Sequence, residues 1–209
     1  MKAAWITSSP TMKYRGVSNL TAFSPWMNLQ AVVFYTRLLE PNMRVLELGA
    51  GKSTIWLGGQ GLEVISYDHD EVWGDEVNGW IKEYGLSNVE LIVVPDGYID
   101  CISQYESESF DIVVVDGIDR LKCCEEVIEH GILKKGGWII YDDIQRRYLT
   151  EEYVEAYALL DGWEHEIIGF GNHTNYDEWK QLVDAMGEVA PNVAQAPYEQ
   201  TLFAQRPQH

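Results

Sequence analysis

Short apolar runs recur through the middle of the chain at Arg44–Leu48, Glu63–Tyr67, Val89–Val94, Phe110–Val115 and Trp138–Tyr141. Most are rich in Val and Ile and are bounded by turn residues. That pattern predicts strands of a parallel sheet buried on both faces. Between them the spacing turns helical. Val72–Tyr84 is one such stretch, and in Arg120–Leu133 the residues Leu121, Cys124, Ile128 and Ile132 stack on one face. Glu151–Leu160 opens with two glutamates, where the helix dipole favours anions. Strand–helix alternation of this kind predicts an α/β fold with a doubly wound sheet.

The ends read differently. Pro25–Leu39 has the pattern of an amphipathic helix leading into the first strand, and residues 1–25 read as an extended arm or lid. Trp163–Phe170 and Thr201–Ala204 are further strand candidates, with a helix expected at Tyr176–Met186 between them. The expected organisation is one domain over residues 26–209, with 171–199 as an insertion on the substrate side. A length of 209 residues agrees with one domain at about 150 residues per domain. No apolar run reaches the length of a membrane-spanning helix, and the apolar patch Ala3–Ile6 is too short for a secretory signal. The cysteines, Cys101, Cys123 and Cys124, are odd in number and two are adjacent. They suit neither a disulfide framework nor zinc, and point to small core residues in a reducing cytoplasm.

Charge narrows the partners. The chain carries 15 Lys+Arg against 33 Asp+Glu, a net of −18. Such a surface repels nucleic-acid phosphates and anionic lipid, so neither a nucleic-acid nor a membrane partner is expected, and the oligomeric state is left open. Residues 1–46 depart from this, with five cations against Glu40.

In an open α/β sheet, ligands sit at the carboxyl ends of the strands. There the sequence places Glu47 ahead of Gly49-Ala50-Gly51, then Asp68-His69-Asp70, Pro95-Asp96-Gly97, Asp116-Gly117 and Asp142-Asp143. Asp is common in turns, but five acidic strand ends in register point to a site. The glycine turn admits three readings. Gly51-Lys52-Ser53 imitates a phosphate loop, which needs a glycine where Leu46 stands. A dinucleotide fingerprint needs a third glycine where Thr54 stands, and would set Glu47 beside a pyrophosphate. A phosphate-free nucleoside with a positive centre suits an acid before the glycines, with Asp68 as acceptor for its ribose hydroxyls; S-adenosylmethionine is such a ligand.

These segments resemble class I S-adenosylmethionine-dependent methyltransferases. Val45–Thr54 (VLELGAGKST) is similar to their first motif and Val64–Asp70 (VISYDHD) to their second-strand segment. Phe110–Arg120 and Leu133–Asp143 resemble their fourth- and fifth-strand motifs, and Thr201–Arg206 (TLFAQR) their reversed last strand. The resemblance implies a Rossmann-like sheet of seven strands, mostly parallel, with the last antiparallel. It further implies that Glu47, Gly49 and Gly51 contact the methionine part of S-adenosyl-L-methionine, Asp68 its ribose, and His69 and Asp96 its adenine.

A narrower resemblance is to metal-dependent O-methyltransferases of the catechol and caffeoyl-CoA type. It implies a divalent cation, Mg²⁺ or another hard ion, held by Asp116, Asp142 and Asp143 and activating an acceptor hydroxyl. The chain departs from that pattern with Asp143 in place of Asn and Asp119 in place of the lysine base. His173, after the sixth predicted strand, is a second candidate base beside Asp116. The expectation is thus a methyltransferase acting on a small-molecule acceptor, most simply at oxygen. A nucleotide hydrolase and a non-catalytic S-adenosylmethionine-binding module are the alternatives.

Overall fold

Seven strands form one sheet in the order β3-β2-β1-β4-β5-β7-β6. They are β1 Arg44–Leu48, β2 Glu63–Asp68, β3 Val89–Val93, β4 Phe110–Val115, β5 Leu133–Tyr141, β6 Glu164–Gly169 and β7 Gln200–Gln205. The computed structural model describes residues 25–27, 29–148, 150–169 and 200–209. The arm at 1–24, the insertion at 171–199, its expected helix and His173 lie outside these residues. The helices are α1 Leu29–Leu38, α2 Lys52–Gly59, α3 Glu71–Glu83, α4 Arg120–Glu129 and α5 Glu151–Leu159.

Strands β1 to β5 pair in parallel, and β7 runs antiparallel between β5 and β6. The central strands are buried because alternate residues feed two cores. Leu46, Leu48, Val113, Val115 and Tyr141 face α4 and α5, where they meet Cys124, Val127 and Ala156. Val45, Val64, Ile112, Val114 and Phe203 face α1 and α2, where they meet Ala31, Tyr35, Trp56 and Leu57. Cys123 and Cys124 are core residues as expected, and burial pushes the Cys123 thiol up to about 12.

Three elements differ from the sequence pattern. α2 has no apolar stripe because Ser53 to Gly58 are all buried, so no helical period marks it. α4 stops at Glu129, since Gly131 turns the chain at φ +60° and frees Leu133 to begin β5. β5 begins earlier than its apolar run because Lys134, Lys135 and Gly136 sit in a stretch where its register with β4 shifts. Chain order runs outward from β1 toward β3 on one side, while β4 lies on the other. The crevice between the ends of β1 and β4 is therefore the topological switch point, where such sheets bind ligands.

Candidate functional site

The switch point holds a cleft of about 380 Å³, within the usual size of small-molecule sites. Gly49, Gly51, Asp68, His69, Asp116 and Gly117 line it. Gly49 is fixed by two constraints. Its φ is +113°, and a Cβ there would lie 2.5 Å from the Gly117 nitrogen and 2.6 Å from its Cα. The turn after β1 thus lies directly on the end of β4. Gly117 is equally confined, against Gly49 and the Tyr98 hydroxyl, which accepts from the Ile118 N–H at 3.0 Å.

Asp68 closes β2 and is 6% exposed. Its Oδ2 accepts from the Ala50 N–H at 3.0 Å, and its Oδ1 from the N–H groups of His69 and Asp70 at 2.8 and 2.9 Å. The carboxylate therefore ties the glycine turn to the β2 turn and faces the cleft in a fixed orientation. The next acid, Asp70, caps α3 by accepting from the Val72 and Trp73 N–H groups. The Trp73 indole donates to the Ala50 carbonyl at 2.7 Å and walls the cleft.

Glu47 lies beneath the turn, fully buried and outside the cleft lining. Its Oε2 accepts from the hydroxyls of Thr54 at 2.5 Å and Ser66 at 2.6 Å. Thr54 in turn accepts from the Gly51 N–H at 2.9 Å. This explains Thr54 where a dinucleotide site has glycine: its hydroxyl couples the buried acid to the turn. Oε1 of Glu47 has no partner among the described residues. Burial raises the carboxyl's pKa against the opposing pull of its hydroxyl donors. Asp96 is exposed in the turn after β3 and does not line the cleft.

The acids expected to hold a metal meet a guanidinium instead. Arg120, 8% exposed, donates to the carbonyls of Asp116, Gly117 and Asp142 at 3.1, 2.9 and 2.7 Å. It also pairs with the carboxylates of Asp116 at 3.1 Å and Asp143 at 3.6 Å. Asp142 is buried and accepts from the Thr201 hydroxyl at 2.6 Å. Asp143 accepts from Arg146 at 2.7 Å and Gln145 at 2.8 Å. Among the described residues no group of three His, Cys, Asp or Glu side chains is arranged to hold a metal ion. The cation expected at Asp116, Asp142 and Asp143 finds no support here: these side chains meet protein donors, and Arg120 supplies a countercharge. Burial, reinforced by the negative charge of Asp116, raises the Asp142 pKa well above the ordinary carboxylate range.

Sequence reasoning placed Gly49, Gly51, Asp68, His69 and Asp116 at strand ends, and the fold brings all five together. It gave no role to Trp26 or Trp73, which also line the cleft. Trp73 is recoverable as a residue in the first turn of the helix following Asp70; Trp26 carries no local signal.

Among the described residues no helix is long and apolar enough to cross a membrane. No protein-family profile matches the chain, and no curated protein matches it in sequence. Solved structures do match its fold. An rRNA methylase from Streptococcus thermophilus aligns with TM-score 0.57 at 15% identity, over 84% of this chain and 93% of that one. A precorrin-6y C5,15-methyltransferase from Geobacter metallireducens aligns with TM-score 0.56 at 14% identity, over 85% and 87%. A SAM-dependent methyltransferase from Archaeoglobus fulgidus aligns with TM-score 0.52 at 13% identity, over 84% and 91%. With its strand order, its reversed β7 and a glycine turn at the switch point, the chain has the Rossmann-like fold of class I S-adenosylmethionine-dependent methyltransferases.

Proposed function

We propose that the chain binds S-adenosylmethionine in this cleft and transfers its methyl group to an oxygen of a small-molecule acceptor. The observation that carries the reading is the chemistry of the lining. Asp68, Asp70 and Asp116 line the cleft beside the glycine turn, a setting that suits a sulfonium nucleoside and repels phosphates. In this reading Asp68 accepts from the ribose diol, and Gly51 admits the ligand against the turn. Glu47 acts from below, holding the turn through Thr54. Asp116 orients the acceptor, its own position fixed by Arg120. The sulfur–methyl bond breaks as the oxygen–methyl bond forms, leaving S-adenosylhomocysteine and the acceptor's proton. In-line placement supplies most of the acceleration.

The fold does not choose the acceptor: the neighbours include an rRNA methylase and a precorrin methyltransferase. The net charge of −18 favours a small molecule over RNA. A phosphate-loop hydrolase is disfavoured because the required glycine position, Leu46, is a fully buried residue inside β1, paired with Ile65 and Val113.

Calorimetry with S-adenosylhomocysteine tests the reading. Saturable binding is expected, weakened in Asp68→Asn by about 1–3 kcal/mol through loss of the charged acceptor. Heat from ATP with Mg²⁺ and silence with S-adenosylhomocysteine would overturn it.

A further inference from the structure

Among the described residues Lys52 is the one Lys or Arg that lines the cleft. Lys52 is exposed at the first position of α2, and among the described residues no carboxylate lies within ion-pair distance of it, although the cleft holds three aspartates. Its partner is instead an aromatic face: the Lys52 Nζ sits 6.0 Å from the centre of the Trp26 ring. Trp26 is 77% exposed and lines the same cleft. An exposed cation over an indole at the outer edge of this range gains little, so the pair neither neutralises the ammonium nor covers the ring. Both remain available in the lining of the cleft.

We infer that Lys52 and Trp26 form the acceptor-recognition edge of the cleft, and that the acceptor is a planar, aromatic acid whose carboxylate pairs with Lys52 while its ring lies on Trp26. This rests on the methyl-transfer reading, in which Asp68 serves the cofactor, Asp116 faces the acceptor, and an anionic acceptor needs one cation to offset the repulsion of these carboxylates. Position selects the acceptor over the cofactor's own carboxylate as the anion. The ammonium stands beside an indole that is mostly in solvent.

The test uses the whole protein saturated with S-adenosylhomocysteine. Ligands are 3,4-dihydroxybenzoate, 4-hydroxycinnamate and 2-naphthoate, each beside its methyl ester. Binding is read by calorimetry and by quenching of the emission that Trp26→Phe removes. The acids should bind at least about tenfold tighter than their esters. That preference should vanish in Lys52→Met and survive in Lys52→Arg, with S-adenosylhomocysteine affinity unchanged in both, which also reports that they fold. Equal binding of acids and esters, silence of all the acids, or a preference that persists in Lys52→Met would overturn the inference. So would a loss of S-adenosylhomocysteine affinity in Lys52→Met, which would assign the lysine to the cofactor. Failure of the unaltered protein to bind S-adenosylhomocysteine would instead strike the underlying functional reading.

Discussion

The two glycines that frame the turn after β1 look interchangeable as a motif, yet their surroundings predict opposite responses to the same substitution. In Gly49→Ala the backbone must hold φ +113°, which costs a residue with a side chain about 1–3 kcal/mol. The new methyl would also stand 2.5–2.7 Å from backbone atoms of Gly117 and Asp116, which cannot swing aside as a side-chain tip does. Overpacking of that kind adds about 1–3 kcal/mol. The sum, about 2–6 kcal/mol, corresponds to a fall in Tm of about 4–24 °C for a chain of this size. Gly51 differs in both respects: its φ of −177° is ordinary extended backbone, and a Cβ there meets Trp73 at 3.9 Å, a normal contact. Gly51→Ala should therefore unfold within about 1 kcal/mol of the unaltered protein. Its methyl group would project at the cleft, so its penalty should fall on S-adenosylhomocysteine affinity. Urea unfolding and calorimetry on both variants decide the matter. Equal destabilisation of the two, or a Gly49→Ala protein as stable as the parent, would refute the reasoning.

Three further outcomes follow from the strand-end network. Arg120→Met removes the donor shared by three carbonyls and leaves Asp116 and Asp143 without their guanidinium; a loss of about 3–5 kcal/mol is expected in urea unfolding, and a loss below about 1 kcal/mol would remove Arg120 from its central place. Asp142 has a raised pKa in the fold, from burial first and Asp116 second, so its protonated form is the stabilising one. That stabilisation is complete below the ordinary carboxylate range and fades as pH rises through the raised value. Asp142→Asn keeps an acceptor for Thr201 and never ionises, so its gain in Tm over the parent should be absent at pH 4 and grow toward pH 8; a gap independent of pH would contradict this. EDTA should leave both S-adenosylhomocysteine affinity and methyl transfer unchanged, because Arg120, Arg146, Gln145 and Thr201 engage the three candidate ligands; a requirement for added Mg²⁺ would restore the cation.

The strands that hold the site were legible because burial on both faces writes a continuous apolar run: β1 and β4 begin and end where their runs do. Elements that break the rule were not. α2 is buried nearly all round and so has no period, and the start of β5 is hidden by two lysines and two glycines. Within the site, strand-end position located Asp68 and Asp116, since it follows from chain order alone. The fate of Asp142 and Asp143 depended on long-range contacts instead. Whether neighbouring acids gather an ion or a guanidinium is decided by where Arg120 points, and five hydrogen bonds or ion pairs to two different strand ends settle that only in the fold. Glu47 shows the same limit: its place before the glycines suggests a ligand contact, whereas Thr54 and Ser66 draw it underneath.

The position of β7 has a consequence for how the protein is made. β7 is the last strand in chain order, yet it lies between β5 and β6 and is buried through Gln200 to Ala204. While the nascent polypeptide is still leaving the ribosome, β6 has nothing to pair with and β5 carries a bare edge. Neither is closed until residues 200–205 thread into the gap. Residues 200–205 must therefore be synthesised before the sheet can lock, and until then the open edge is the part of the molecule most in need of a chaperone.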